Sequence, residues 1–505
     1  MIRGFDSGRL LRLLLFCALF SLAVLPPTDP DLFWHLANGQ LLLQLHGWPT
    51  TDLYSFSATG HPWVMHEWLA DLFMYGIVRL GGLSLLVVVF AGLTTVAGVC
   101  LYRLLRSVGL HPTAAVVVTL VGALASSTTW GARPQVFNLV LAGLLLLGLR
   151  AVRVSRLPAF WIAPYLWLWA NLHSGFLVGV ALAALFCAGE GWDAWRAADP
   201  ERLRATFRPA IATGAGLLLS LVNPYGVQTL LFPLGTLTSP LIQANIQEWA
   251  SPNFQTLPGY LLEALLFLML AGLATRAVRA RTSEWLWALA LLFLALSSQR
   301  HVPLFVLAAA PLYGRCAQAV LARLAAWTPR QAALPAERVA FLPRAIASRR
   351  PTLAVGILNV SLLLAVGTGM IVDRALPSIR PASQQAAIDA VFPVETAQAL
   401  IALQRPVRVF NAYDWGGYLI GAGRSAGVRV FIDGRVEVYG PAVFQDYLAV
   451  NNLAPSWRQV LDRYQPDAVL FPTGHPLTTL LSQDPTWRKQ AQDRVATLFV
   501  RAGAP

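Results

Sequence analysis

Charge is scarce in this sequence. Only 12% of its 505 residues are Asp, Glu, Lys or Arg, about half of what a soluble globular chain carries. Lysine is almost missing: of 38 basic residues, 37 are arginine and one is Lys489. Cysteine is sparse too. Cys17, Cys100, Cys187 and Cys316 lie in or beside apolar stretches, where a thiol packs as a small hydrophobe. That excludes a disulfide framework and a cysteine-based metal knuckle. Soluble-enzyme signatures are also lacking. There is no P-loop, no glycine-rich dinucleotide fingerprint after a strand, no Gly-x-Ser-x-Gly and no His-Glu-x-x-His. This counts against ATP- or nucleotide-sugar-driven chemistry in the cytosol.

What the chain has instead is apolar residues, 56% of the total. Apolar stretches of roughly 15–25 residues recur down to Met370 and then stop. The pattern predicts a polytopic α-helical membrane region, residues 1–372, followed by a small α/β domain, residues 373–505. About eleven spans are predicted, at 9–26, 82–104, 113–128, 135–150, 159–171, 174–190, 208–223, 259–275, 284–298, 301–317 and 352–372. Arg3, Arg9 and Arg12 before residues 13–25 resemble the start of a signal peptide. No small-residue cleavage site follows, and Pro26-Pro27 do, so the segment reads as a retained first span.

The net charge of +13 resides in the loops between spans. From Asp373 onward there are 13 basic and 11 acidic residues, which argues against a nucleic-acid partner. With the N-terminus inside, inner segments hold 22 arginines and outer loops three, Arg79, Arg133 and Arg300. That asymmetry predicts an inner-membrane, multi-pass protein with a cytoplasmic N-terminus and an extracytoplasmic C-terminal domain. The basic inner stretch 327–350 is expected to lie on anionic lipid. The long first outer loop, residues 27–81, is expected to hold an interfacial helix over 31–45 and an amphipathic helix over 66–80. In the tail, strands are expected at 407–410, 428–432, 468–471 and 497–500, and helices at 393–403, 442–451 and 457–464.

The unusual polar residues share one side. Asp29, Asp31, His35, His66, Glu67, Arg133, Gln135, Asn171, His173, Asn223, Glu248, Arg300 and His301 all fall on the outer side or at outer helix ends. This suggests one polar cavity open outward and roofed by the tail, since ionisable groups at such depth are costly. Each residue also has a plainer account. Asp29 before Pro30 suits a helix cap; His35 suits an interfacial helix; Glu67 suits a helix N-terminus; Asn171 and His173 suit a turn; Arg300-His301 suit snorkelling side chains. Their shared side carries the argument.

At this point the arrangement resembles the C-type glycosyltransferase (GT-C) superfamily, multi-span enzymes that use polyprenyl-phosphate sugars. Asp29-Pro30-Asp31-Leu32-Phe33-Trp34-His35 stands where those enzymes carry their catalytic acid, directly after the first span. With His46-Gly47-Trp48-Pro49-Thr50-Thr51-Asp52, it is similar to the first outer loop of the oligosaccharyltransferase catalytic subunit. Asn245-Ile246-Gln247-Glu248 resembles that subunit's outer-loop glutamate motif. Ser297-Ser298-Gln299-Arg300 resembles its arginine-bearing span, and Tyr413-Asp414-Trp415-Gly416-Gly417-Tyr418 its acceptor-reading motif. Two features depart from the pattern. The loop 126–135 lacks the paired acids that bind metal there, and Asp414-Trp415-Gly416 reorders the acceptor motif. Both count against protein N-glycosylation and strict metal dependence, so the resemblance is to the superfamily, and a divalent metal is left unassigned.

The resemblance implies a sugar transferred from a polyprenyl-phosphate donor to a glycan, lipid or protein acceptor on the outer face. Asp29 is the expected catalytic acid, with Asp31 and Glu67 beside it. Arg300 and His301 are the expected donor-phosphate ligands, with Arg133 in reserve. Glu248, His35, His66, His173, Asp414, Asp433 and Arg435 are expected on the acceptor side. Asp433 and Arg435 also suit a turn and a local ion pair. Two other classes remain open: a transporter or assembly factor for lipid-linked glycan or solute, and an outer-face glycan ligase or polymerase. Transporters usually show internal repeats, and no convincing repeat is seen.

Overall fold

A computed structural model describes residues 5–327 and 353–503. The stretch 327–350 lies outside the described residues apart from Trp327.

Each expected apolar segment forms helix. The first five helices are α1 (Ser7–Ala23), α2 (Leu32–Leu45), α3 (Trp68–Ser107), α4 (Pro112–Ala125) and α5 (Gln135–Arg153). Length divides these helices from one another. Among the described residues, five helices are long and apolar enough to cross a membrane, or six if one bent pair counts as a single span. A full crossing takes about 20 residues, and several others fall short of that.

The bent pair turns by 64° between residues 299–308 and Ala310–Trp327. Pro311 offers no N–H and crowds the turn before it. The Tyr313 hydroxyl donates to the Val306 carbonyl at 2.6 Å, within this distorted turn. In α3 the break is at Gly81–Gly82, where Gly82 has φ +67°, a conformation that favours glycine. The break separates a first arm, 68–80, from the longer remainder.

Buried acids tie the other ends of the helices together. Glu190 meets Arg153 at 2.8 Å, Arg202 and Arg281 at 3.2 Å each, and Ser283 at 2.9 Å. Glu284 meets Arg150 at 3.1 Å and Arg315 at 3.0 Å. Five arginines expected only to set orientation therefore also have carboxylate partners. Removing one member of a buried pair typically costs about 3–5 kcal/mol.

The C-terminal part is a five-stranded mixed sheet in the order β2-β1-β3-β5-β4. The strands are β1 (Val407–Asn411), β2 (Val428–Val430), β3 (Ala468–Pro472), β4 (Trp487–Gln492) and β5 (Ala496–Arg501). β2, β1 and β3 run parallel, and β5 and β4 antiparallel. The four expected strands are present. β4 was not anticipated, since Trp-Arg-Lys-Gln-Ala-Gln has no apolar alternation and lies at the sheet edge.

The segment between α1 and α3 folds with this sheet. Ser55 forms a parallel bridge with Val430. Val430 donates its N–H to the Tyr54 carbonyl at 3.2 Å, and Phe56 donates to the Val430 carbonyl at 3.0 Å. Trp34, Tyr54, Trp63 and Met65 are buried in one core with the strands. Helix α2 is thus not an interfacial helix with one wet face. Leu32, Trp34, His35, Ala37, Asn38, Gly39, Leu41 and Leu42 are all buried, so apolar contact runs around much of it. Gly39 leaves no room for a Cβ beside the Asp71 carbonyl. On another side, helix Gly416–Gly423 closes on α2 with Gly417 against the Pro30 carbonyl.

Candidate active site

The site begins with a turn. After α1 the chain is reversed by Pro26-Pro27, and Asp29 closes the start of α2. Its Oδ1 accepts the Asp31 N–H at 2.9 Å. Its Oδ2 lies 3.2 Å from Arg133 Nε. Arg133 also pairs with Glu248 Oε1, through Nη1 at 2.5 Å, and donates to Gln135 at 2.9 Å. One guanidinium therefore links two carboxylates that are 219 residues apart in sequence. Burial alone would lower the pKa of Arg133, but Asp29, Glu248 and Asp31 push it above the usual arginine value.

Asp31 lies two residues further on, at the start of α2. Its Oδ1 accepts the Trp34 indole N–H at 2.9 Å. Burial, then the charge of Asp29, raises its pKa to about 7; His35 and Arg133 oppose the rise. A carboxylate so poised titrates near neutrality, as a general base requires.

The three histidines gather around Glu67. His173 Nε2 lies 3.0 Å away, His66 Nε2 3.4 Å and His35 Nε2 3.6 Å. His173 Nδ1 accepts from Gly175 N–H at 2.8 Å and faces Asn138 Nδ2 at 2.9 Å. Two donors on Nδ1 place the His173 proton on Nε2, where it is donated to Glu67. His35 Nδ1 donates to Asp71 at 2.6 Å. Burial works against charge on His35, yet Asp71, Glu67 and Asp31 hold its pKa above the ordinary value. Burial likewise works against Glu67 as an anion, but His173 and His66 keep it well below the usual carboxylate range. Glu67 is an ionised anchor with all its partners in place.

Arg300 closes the far side. Its guanidinium lies over the Trp249 ring at 4.8 Å, a cation–π contact. The segment is pinned to the Glu248 loop, since Ser298 Oγ donates to the Glu248 carbonyl at 3.0 Å and Gln299 N–H to Ala250 at 2.8 Å. Among the described residues Arg300 has no ion pair, although its charge is felt at Glu248. His301 is different: it is buried, its Nδ1 has no partner and its ring stands edge-on to Trp249 at 5.9 Å.

The C-terminal sheet supplies the roof. Asn411, at the end of β1, donates to the Ile432 carbonyl at 2.8 Å and accepts the Phe431 N–H at 2.9 Å. This joins the ends of two parallel strands, the usual position for ligand loops in α/β sheets. The β2 end then presents Gly434 directly to the Asp31 carboxylate, with no space for a Cβ. Asp433 and Arg435 are both buried. They pair at 2.7 Å, Arg435 also meets Asp52 at 2.9 Å, and Tyr439 donates to Asp433. Their contacts lie with the segment between α1 and α3, so they tie the C-terminal domain to it. Asp414 is exposed. Tyr413 beside it lies within electrostatic reach of Asp31, Asp433 and Glu437, and Glu437 acts on His66 as well.

Asp29, Asp31, His35, His66, Glu67, Arg133, His173, Glu248 and Arg300 thus form one cluster. Sequence reasoning missed Asp71, Asn138 and Glu437, and named Asp52 and Tyr413 only within motifs, without a role. Asp71 offered a signal, as an acid in the otherwise apolar opening of α3. Among the described residues no group of three or more His, Cys, Asp or Glu side chains is arranged to hold a metal ion. A guanidinium stands between Asp29 and Glu248, where shared carboxylates would otherwise call for a cation.

Compared with family models and with curated proteins, the sequence matches none. Solved structures do match. An oligosaccharyltransferase from Archaeoglobus fulgidus, tethered to an acceptor peptide with the NVT sequon, aligns over 93% of this chain and 69% of its own, at TM-score 0.55 and 12% identity. The two chains share a fold. The A. fulgidus oligosaccharyltransferase AglB, in complex with an inhibitory peptide and a dolichol-phosphate, aligns over 92% of this chain and 69% of its own, at TM-score 0.53 and 13% identity. ArnT from Cupriavidus metallidurans bound to undecaprenyl phosphate aligns over 98% of each chain, at TM-score 0.46 and 16% identity.

Proposed function

We propose that this protein transfers a sugar from a polyprenyl-phosphate carrier to an acceptor on the outer face of the membrane. The observation that carries this is a near-neutral carboxylate, Asp31, within electrostatic reach of Arg300, a cation that has no carboxylate ion pair among the described residues. In support, the fold is shared with an enzyme whose structure holds a dolichol-phosphate. We take the membrane region as residues 1–372 with about eleven spans, short ones leaning on their neighbours, and residues 373–505 as the extracytoplasmic roof.

The chemistry is acid–base and electrostatic. An acceptor hydroxyl or amide gives its proton to Asp31 as its O or N attacks the anomeric carbon. The bond from that carbon to the phosphate oxygen breaks, and the electron pair leaves on the lipid phosphate. Arg300 neutralises the departing charge, with His301 positioning that segment through its burial. Preorganised charge of this kind is commonly worth 10²–10³-fold in rate, as an order of magnitude. Two features support Asp31 over Asp29 as the base. Asp29 is committed to Arg133 and to the Asp31 N–H, while Asp31 has the near-neutral pKa. Asp29 and Arg133 then orient it, and Glu67 with its histidines fixes the arm beneath. Glu248, His35, His66, His173 and Asp414 border the space for the acceptor, and Asp433 and Arg435 act on it through Gly434.

The test is transfer by purified protein, using a panel of synthetic polyprenyl-phosphate sugars and radiolabelled or fluorescent acceptors. Release of lipid phosphate coupled to product is the expected result. Vectorial movement of intact lipid-linked sugar across vesicles, with no bond cleaved, would instead make the protein a transporter.

A further inference from the structure

The described residues line a second site at the opposite end of α1. A cavity of about 720 Å³, open on one side, lies between α1, the end of α3 and helix Leu353–Met370. Helix α1 has 17 residues, so at ~1.5 Å per residue its two ends stand about 25 Å apart. The cleft around Asp31 is at one end and this cavity at the other.

Its lining has two halves. Arg9, Arg12, Arg103 and Arg106 line it together with Leu13, Phe16, Val99, Tyr102 and Val360. The arginines come from the start of α1 and the end of α3, so they cluster at one level, while the apolar residues continue along the helices. Phe16 and Tyr102 meet edge-to-face at 6.0 Å. The wall is fixed, because Asn359 Nδ2 donates to the Phe5 carbonyl at 3.0 Å. Two arginines are partly engaged with backbone: Arg12 Nε donates to the Gly8 carbonyl at 3.2 Å, and Arg106 donates to the Leu110 carbonyl. Among the described residues Arg9 and Arg103 have no side-chain hydrogen bond or ion pair. Asp6 accepts the Arg9 backbone N–H at 2.7 Å, and among the described residues no acid lines the cavity.

Four cations without a facing acid attract an anion, and an apolar wall running down spanning helices suits hydrocarbon. We infer that this cavity binds an anionic phospholipid, its phosphate among the arginines and an acyl chain along Leu13, Phe16 and Val99. Free phosphate would satisfy the arginines but leave the apolar wall without a partner. Basic pockets between spanning helices on the inner side of a membrane recognise lipid headgroups in this manner. The site is independent of the transfer reaction proposed above.

The probe is phosphatidylglycerol. Full-length protein in phosphatidylcholine nanodiscs would be titrated with it, and bound lipid counted by native mass spectrometry. Wild-type protein should retain phosphatidylglycerol over phosphatidylcholine. The Arg9→Gln/Arg103→Gln double variant should bind it about thirtyfold more weakly, taking roughly 1 kcal/mol per arginine. Arg9→Lys/Arg103→Lys should keep most of the preference, which separates lost charge from misfolding. A photoactivatable phosphatidylglycerol should label Phe16 or Tyr102 in the wild-type chain, a readout that needs no variant. Equal retention of both lipids by the wild type overturns the inference, as does unchanged binding by the glutamine variant. Displacement of phosphatidylglycerol by millimolar inorganic phosphate would overturn the lipid assignment and leave a phosphate site.

Discussion

Gly434, in the C-terminal domain, lies against the carboxylate of Asp31, at the start of α2, with no room for a Cβ between them. The contact connects the roof to the proposed base, and a methyl group there must displace one or the other. Gly434→Ala is therefore expected to slow sugar transfer by roughly 10²-fold, the scale set by misplacing a reacting group by about 1 Å. The melting temperature should move little, because the Asp433–Arg435–Asp52 contacts remain. Wild-type initial rates from Gly434→Ala would detach the roof from the chemistry.

Asp31 makes a prediction of opposite sign for activity and stability. Its pKa is raised from 3.8 to about 7. The folded protein thus holds a proton that the unfolded chain releases, and the Asp31 contribution to stability is present below about pH 4 and lost as pH rises through about 7. Asp31→Asn should abolish transfer, by ~10²–10⁴-fold, yet melt a few degrees higher than wild type at pH 8. The wild-type rate should climb with pH up to about 7 and then level. A melting temperature lowered by Asp31→Asn at pH 8 would contradict the assigned pKa direction. Asp29→Asn should also impair transfer, through Arg133, and move that pH midpoint downward, since the charge of Asp29 helps to raise it; a rate near wild type would remove Asp29 from the mechanism.

The helices were legible in the sequence because burial in lipid demands long apolar runs, and each run from residues 9–26 to 352–372 does form helix. How far each reaches was not legible. Length depends on breaks such as Gly81–Gly82 and the bend before Pro311, which composition does not place. The shared side of Asp29, Glu67, His173, Glu248 and Arg300 could be seen from helix counting alone. Their partners could not. Asp71 and Asn138 are single polar residues on apolar helices, and only packing shows that they orient His35 and His173. Helix α2 was mistaken for an interfacial element because the surface covering its second face arrives nearly 400 residues later, at Gly417 and Gly421.

Arg133 occupies the position between Asp29 and Glu248. If its guanidinium does there what a divalent cation would otherwise do, transfer should persist in EDTA, losing less than about twofold. Arg133→Ala should abolish it, with a partial return in added Mn²⁺ or Mg²⁺ as the two bare carboxylates accept an ion. Complete, metal-reversible loss of wild-type activity in EDTA would show that a cation is required in addition. The comparison needs Arg133→Lys as well. That change keeps the charge but loses the fork that reaches both acids, and an intermediate rate is expected.

The last prediction concerns how the roof is held. Arg435 is buried, lies 2.7 Å from Asp433 and 2.9 Å from Asp52, and stacks over Tyr54 and Trp63 at 4.8 and 4.6 Å. It is the ionic part of an interface whose backbone part is the Ser55–Val430 bridge. Removing it leaves two acids buried without a counter-charge, a loss typically costing about 3–5 kcal/mol. Arg435→Met should therefore release the first outer loop from β2 before either part unfolds. In hydrogen exchange, the amides of Phe56 and Val430, which bond across the interface, should lose protection at least tenfold. Amides inside β3 and β5 should keep theirs. Asp52→Asn should give a milder version, since it keeps an acceptor for Arg435 and removes only charge. If Phe56 and Val430 stay protected in Arg435→Met, the strand pairing holds the roof alone, and the ion pair is dispensable to docking.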